Sequence, residues 1–142
     1  MKNFGVSSSV ATLKRVAVRQ PTRDADYEAA HWLGAPRDLD LDALIRDHGI
    51  FVQLLRDLGC DVEVLPEAPG LPDAIFTYDP AFVIPSGVVQ FQGAKEARKK
   101  EPALLAGDLN GLGIPTVGVL TGGATADGGD MFWLDSKTIG LG

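Results

Sequence analysis

The chain has 142 residues, of which 45% are hydrophobic and 23% are charged, a composition typical of one compact globular domain. Its formal net charge of -6 disfavours a nucleic-acid-binding protein, because no stripe of Lys and Arg could replace the counterions around phosphates. No apolar run approaches the roughly 20 residues that span a bilayer, and the N-terminus lacks a signal-peptide pattern. The single cysteine excludes an internal disulfide framework, so we expect a cytoplasmic protein with no membrane partner.

The first predicted elements are a strand and a loop. Residues 13–19 are predicted as the first sheet strand, with Val16 and Val18 on one face. Residues 22–38 begin with polar turn residues and end in a stretch with Gly and Pro, which is typical of a surface loop.

The strongest helical pattern follows the loop. Apolar residues recur at i, i+3 and i+4 from Leu41 to Leu58 and predict an amphipathic helix with one apolar stripe. Asp40 or Asp42 is expected to cap its N-terminus, and Gly59 is expected to adopt the left-handed conformation after its end. A strand over residues 61–66 is predicted to follow at once.

A sequence pattern then recurs along the chain. Residues 55–65 (LRDLGCDVEVL) resemble residues 109–120 (LNGLGIPTVGVL), and in each copy Leu-x-x-Leu-Gly precedes a predicted strand. Asp73 follows eight positions after the first strand, and Asp127 follows seven positions after the second. Both aspartates are therefore expected in loops that leave a strand end.

An apolar hairpin is predicted after each of these aspartates. Residues 81–91 should turn at 85–87, and residues 131–141 should turn at Asp135 and Ser136. The predicted unit is thus a helix, a strand, an acidic loop and a hairpin.

The two predicted repeats, at about 40–92 and 94–142, are too small to bury both faces of a sheet alone. We therefore predict an α/β fold in which several such repeats pack around a centre within one domain. The alternative is a self-sufficient two-layer α/β domain in which the likeness of the two copies is accidental.

Four aspartates in the predicted strand-end loops are candidates for a cation site: Asp73, Asp79, Asp127 and Asp130. A planar guanidinium suits such a site, because its N–H donors match carboxylate oxygens in bidentate pairs. A bend over residues 77–80 is expected to aim Asp79 independently of Asp73. A metal site is less well supported, since no His, Cys or Glu accompanies these residues and no Asp-x-Asp spacing occurs.

Three segments carry a resemblance to a known family: PDAIFTYDPAFV at 72–83, GAKEARKKE at 93–101 and ATADGGD at 124–130. They resemble, in order and spacing, landmarks of the guanidino-group modifying (amidinotransferase) superfamily, and are most similar to those of dimethylarginine dimethylaminohydrolase. The resemblance implies a five-bladed α/β propeller, of which this chain would hold about two repeats as the N-terminal half. It implies no cofactor.

The resemblance also implies roles for individual residues. Asp73 and Asp79 would hold the substrate guanidinium, Arg98 would bind the amino-acid end of the substrate, and Asp127 would orient a catalytic histidine. From the sequence alone, without the resemblance, Arg98 is equally well interpreted as a solvated residue in a stretch of basic residues. Tyr78 stands where close relatives have Glu, which removes a formal charge from the implied pocket and leaves the substrate open.

The chain departs from the family in other respects. Gln92 stands where relatives often have Arg. The family's nucleophilic cysteine and catalytic histidine are expected outside this chain, because its own candidates do not match them. His48 and Cys60 are interpreted as packed residues, and His31 as a lid residue at most.

The sequence therefore predicts the N-terminal half of a hydrolase that acts on dimethylarginine or a related guanidine through a covalent thiouronium intermediate. The alternatives are an amidinotransferase or arginine deiminase of the same superfamily, or a non-catalytic guanidinium-binding fragment. The predicted partners are a small guanidino substrate, the missing C-terminal half and a further copy of the chain.

Overall fold

A computed structural model describes residues 4–27 and 39–142, so most of the predicted surface loop, with His31, lies outside the described residues. The described chain forms two compact units. One comprises residues 13–76, and the other comprises residues 77–142 together with the N-terminal segment up to Thr12. No helix within the described ranges is long and apolar enough to cross a membrane.

The unit of residues 13–76 is a strand, a helix and a second strand. These are β1 (Arg15–Arg19), α1 (Leu41–Asp57) and β2 (Asp61–Leu65). The two strands pair in parallel over their full length, as expected for strands joined through a helix. Both strand predictions and the helix prediction are confirmed. The core of the unit comprises Val18, Val52, Leu65, Ala68 and Ala74.

Helix α1 begins as predicted, because the Asp40 carboxylate accepts a hydrogen bond of 2.9 Å from the backbone N–H of Ala43. The prediction of one buried apolar stripe is wrong in part. Val52 is the one buried residue of α1, whereas Phe51 is 48% exposed and Leu58 is 71% exposed. The helix packs on β2, whose sheet has two strands within the described residues, and two strands about 5 Å apart cover a narrow strip of a helix.

The unit of residues 77–142 is built on a three-stranded sheet. Its strands are β3 (Ala81–Ile84), β4 (Gly87–Gln90) and β5 (Thr116–Val119), in the order β3-β4-β5. Strands β3 and β4 are antiparallel, and β5 pairs in parallel with β4. Helix α2 (Glu101–Gly111) connects β4 to β5 and contacts β3 and β4.

A separate hairpin, β6 (Met131–Asp135) and β7 (Thr138–Leu141), completes this unit. Its turn is one residue later than predicted, since Asp135 belongs to β6. The Asp135 carboxylate accepts hydrogen bonds from the Lys137 N–H at 2.7 Å and from the Thr138 hydroxyl at 3.0 Å, which moves the reversal to residues 136–137. The first hairpin turns between Ile84 and Gly87, as predicted.

Both helices end in the same way. Gly59 after α1 and Gly113 after α2 have φ of 87° and 82°, in the left-handed region. Each glycine N–H bonds the carbonyl three residues before it, and the next N–H bonds back to Leu55 or Leu109. This is the Schellman arrangement. At the end of each helix it turns the chain into a strand that pairs in parallel with the strand before that helix.

Candidate functional site

A cavity of about 330 Å³ lies within the unit of residues 77–142. Three segments line it: the turn before β3, the chain from Gly93 to Pro102, and the loop that precedes β6. Its charged lining residues are Asp79, Lys95, Arg98, Glu101, Asp127 and Asp130. Within the described ranges, no three His, Cys, Asp or Glu residues come together in a way that could hold a metal ion.

Asp79 lies in the predicted bend, a turn over residues 77–80 that leads into β3. Its Oδ2 accepts a hydrogen bond of 2.8 Å from Nη1 of Arg98, and its side chain is 27% exposed. Among the described residues, nothing donates a hydrogen bond to the second carboxylate oxygen, Oδ1. Asp79 thus has one oxygen fixed and one oxygen available to a ligand.

Arg98 lies on a short 3-10 turn, Glu96–Arg98, ahead of α2. Its side chain is 12% exposed, so the interpretation as a solvated residue is wrong. Besides Asp79, it contacts Glu101, with Nε and Nη2 at 2.8 Å and 2.7 Å from the same oxygen, Oε2. Burial alone would lower the pKa of the Arg98 guanidinium, but the hydrogen bonds to Glu101 and Asp79 raise it above its ordinary value.

Asp127 caps a second 3-10 turn, Gly128–Asp130, and its carboxylate accepts a hydrogen bond of 2.9 Å from the Gly129 N–H. The Gly128 N–H donates to the carbonyl of Asp79 at 2.9 Å. A Cβ on Gly128 would lie 2.0 Å from the carbonyl oxygen of Tyr78, so only glycine allows the two turns to approach this closely. The structure therefore brings Asp79 and Asp127 together through their backbones.

Tyr78 lies outside the cavity lining, although it precedes Asp79. Its hydroxyl donates to the carbonyl of Met131 at 3.3 Å, and its ring meets the edge of Phe82 at a centroid distance of 6.3 Å. The side chain is 54% exposed, and partial burial raises the pKa of the Tyr78 phenol.

Asp73 belongs to the other compact unit, where it lies on the 3-10 turn Pro72–Ile75 that follows β2 and is 4% exposed. The same unit contains His48, a half-buried residue whose pKa burial lowers, against the opposing effect of a hydrogen bond with the Arg19 backbone. Cys60 is half-buried, and its thiol donates to the carbonyl of Leu13 at 3.4 Å.

Gln92 holds the glycine-rich loop that precedes Asp127. Its side-chain amide donates to the carbonyls of Gly122 and Ala124, at 3.0 Å and 3.3 Å. The sequence marked Gln92 as a departure from the resembled family, and the structure gives the residue a role in fixing this loop.

Glu101 is a charged cavity residue that the sequence alone did not single out. Its side chain is 2% exposed, although it belongs to a strongly charged stretch that suggests solvation. The available signal was its spacing from Arg98, since residues three apart in a helical segment are neighbours and an Arg and a Glu at that spacing form an ion pair.

No protein-family model matches the sequence. The fold is similar to that of a dimethylarginine dimethylaminohydrolase adduct with S-methyl-L-thiocitrulline, with a TM-score of 0.71, 20% identity, and coverage of 84% of this chain and 46% of that chain. The Pseudomonas aeruginosa enzyme complexed with citrulline gives a TM-score of 0.71, 18% identity, and coverage of 85% and 47%.

The fold is also similar to the N-terminal domain of ArgZ, a cyanobacterial arginine dihydrolase, bound to substrate. The TM-score is 0.70 and the identity 17%, with 82% of this chain and 44% of that chain covered. The chain thus spans less than half the length of these three structures. These neighbours are dimethylarginine dimethylaminohydrolases and an arginine dihydrolase, and the likeness shows a mixed α/β fold with several small sheets.

Proposed function

We propose that this chain provides the guanidinium-binding part of a hydrolase that acts on dimethylarginine or a related guanidino compound. The observation that carries the proposal is the cavity, where four carboxylates oppose two cationic side chains and one carboxylate oxygen of Asp79 is available. The excess of negative charge favours a cation, and a carboxylate oxygen suits an N–H donor of a guanidinium. The fold shared with guanidine hydrolases supports the same substrate class.

Within this proposal, Asp79 accepts a hydrogen bond from the substrate guanidinium. The guanidinium-binding role that the resemblance implies for Asp73, a residue of the other compact unit, stays a prediction. Asp127 orients a catalytic histidine. Arg98 faces the amino-acid end of the substrate, which its place in the cavity lining supports. Tyr78 influences which methylated guanidine is accepted, because it lies in the same turn as Asp79 and contributes no charge.

The proposed reaction needs groups that this cavity lacks. A thiolate attacks the guanidinium carbon, an amine leaves, and water hydrolyses the thiouronium intermediate with a histidine as acid and base. Among the described residues, neither a Cys nor a His lines the cavity. We therefore propose that both groups come from a further part of a complete enzyme, which would also be the chain's principal partner.

We further propose that residues 40–92 and 94–142 are two repeats of a five-bladed α/β propeller. The sheet pattern supports this arrangement, because β5 of the second repeat adds in parallel to the hairpin of the first. Strand β2 of the first repeat adds in the same way to β1. Each hairpin would then receive a strand from the repeat that follows it.

The proposal is tested by measuring the binding of dimethylarginine, arginine and guanidinium to the purified chain by calorimetry and by backbone amide NMR. Asp79→Asn is expected to weaken binding by about tenfold or more, the scale of one charge-assisted hydrogen bond. Asp47→Asn makes the same charge change on an exposed residue of α1 and should leave binding unchanged. Absence of binding by the unmodified chain, or equal loss in both variants, would contradict the proposal.

A further inference from the structure

Glu101 is a buried carboxylate on an otherwise apolar helix face. It shares the buried face of α2 with Pro102, Leu105 and Leu109, and only 2% of its side chain is exposed. Burying a carboxylate is unfavourable unless it is paired and hydrogen-bonded. An apolar residue would suit this position better if packing were its only role.

Glu101 is connected to Asp79 in the cavity through its ion-pair partner, Arg98. Arg98 donates from Nε and Nη2 to one oxygen of Glu101, and from Nη1 to Oδ2 of Asp79. The three side chains form one continuous ion-pair series with donor–acceptor distances of 2.7 to 2.8 Å. Because the guanidinium is planar and rigid, fixing one edge of Arg98 on Glu101 also fixes the edge that contacts Asp79.

The charge of Glu101 has a second consequence. Arg98 and Asp79 alone would form a neutral pair, and a neutral pair attracts a cationic ligand weakly. Glu101 adds a negative charge beside this pair, in a part-buried environment where charges are screened less than at the surface. Asp79 can therefore be oriented by the Arg98 guanidinium and still attract a cationic ligand.

We propose that Glu101 is a positioning residue: it holds Arg98 so that Arg98 orients Asp79 without cancelling the negative charge that binds a guanidinium. This inference rests on the proposed function, since it requires the cavity to bind a cation. It gives Glu101 a role in ligand binding in addition to any contribution to the stability of α2.

The test compares Glu101→Gln with Glu96→Gln, using arginine and guanidinium as ligands. Both changes replace a Glu by its neutral isostere, but Glu96 is 86% exposed and pairs with Lys99 at the surface. Glu101→Gln is expected to weaken binding of both ligands by about tenfold or more, and Glu96→Gln by less than about twofold. Circular dichroism establishes that each variant is folded at the temperature of the titration.

The Nε–H resonance of Arg98 in ¹⁵N NMR separates positioning from stability. In the unmodified chain this proton should exchange slowly and its resonance should shift when arginine binds, because Arg98 joins Glu101 to Asp79. In Glu101→Gln the exchange should be faster and the shift smaller. Glu101→Asp keeps the charge at a retracted position and should restore part of the affinity.

The outcomes are distinguishable. If the unmodified chain binds neither ligand, the proposed function fails. If the unmodified chain binds and a folded Glu101→Gln variant binds equally well, the positioning role is overturned. If Glu101→Gln does not fold, the Glu101→Asp variant tests the positioning role instead. The inference would be overturned if Glu101→Asp binds as tightly as the unmodified chain while its Arg98 Nε–H exchanges fast.

Discussion

Gly128 allows the two turns beside the cavity to touch, because any side chain there would meet the Tyr78 carbonyl oxygen at 2.0 Å. Gly128→Ala must therefore separate the turns and strain the hydrogen bond of its N–H to Asp79. We expect a loss of unfolding free energy of about 1–3 kcal/mol, the usual range for overpacking, together with weaker guanidinium binding. Thermal and denaturant unfolding measure the first effect, and calorimetric titration measures the second.

Gly123→Ala is the matched control for this prediction. Gly123 lies in the same glycine-rich loop, but nothing lies within 4 Å of a Cβ built there, and its φ is not in the left-handed region. The control should leave both stability and binding close to those of the unmodified chain. Equal effects of the two substitutions would mean that the loop as a whole, rather than the contact at Gly128, is sensitive to alanine.

At the residue scale, sequence alone identified aspartates that line the cavity but not how they are held. Asp79 and Asp127 were both expected in strand-end loops and both line the cavity, whereas the repeated spacing after a predicted strand paired Asp127 with Asp73, which lies in the other unit. The pairing of Arg98 with Asp79, 19 residues away in sequence, depends on how the chain before α2 packs against the turn before β3, which no local pattern encodes. For the same reason the burial of Glu101 could not be read from its charged neighbours.

At the scale of elements, the glycines that follow the two helices test the left-handed conformation by which both helices end. Gly113 has φ of 82° with open space around it, so Gly113→Ala incurs only the backbone penalty of the left-handed region. The expected loss of unfolding free energy is about 1–2 kcal/mol. Gly59→Ala should cause a similar loss, since Gly59 has φ of 87° and also no neighbour within 4 Å.

Gly107→Ala, within α2, is expected to raise the unfolding free energy, whereas Gly113→Ala, just after the same helix, is expected to lower it. Gly107 lies on the exposed face of α2 and has open space for a Cβ, so alanine should stabilise the chain by about 0.5–1 kcal/mol. Melting temperatures of the three variants, measured together, check these predictions. A destabilising Gly107→Ala, or a neutral Gly113→Ala, would contradict the assignment of backbone conformation at α2.

Elements whose signals are local were predicted well, and elements that depend on packing were predicted less well. The Asp40 cap and the left-handed Gly59 follow from short-range chemistry, and both are confirmed. The burial of α1 was overestimated because amphipathic periodicity does not reveal how many strands lie under a helix. The second hairpin turn moved by one residue because Asp135 caps the turn from the end of β6.

At the scale of the whole molecule, the order of elements could be derived from the sequence, whereas the parallel pairing of β5 with β4 could not. The repeated Leu-x-x-Leu-Gly pattern predicted a helix followed by a strand in each copy. It did not indicate that β5 would pair with β4 of the first hairpin, because long-range pairing depends on edges that become available only on folding. The division of the described chain at residues 76 and 77 was likewise not apparent in the sequence.

By itself, the 142-residue chain should bind guanidines and not hydrolyse them. Catalysis requires a thiolate near the guanidinium carbon, and a misplacement of about 1 Å can reduce the rate on the order of a hundredfold. The chain's one cysteine, Cys60, belongs to the unit of residues 13–76, and its thiol donates to the Leu13 carbonyl. Incubation of the purified chain with dimethylarginine or arginine should therefore release no citrulline above background, under conditions where calorimetry shows that the ligand is bound. Cys60→Ser is the control, because citrulline release that this substitution abolishes would establish Cys60 as a nucleophile and contradict the division of roles proposed above.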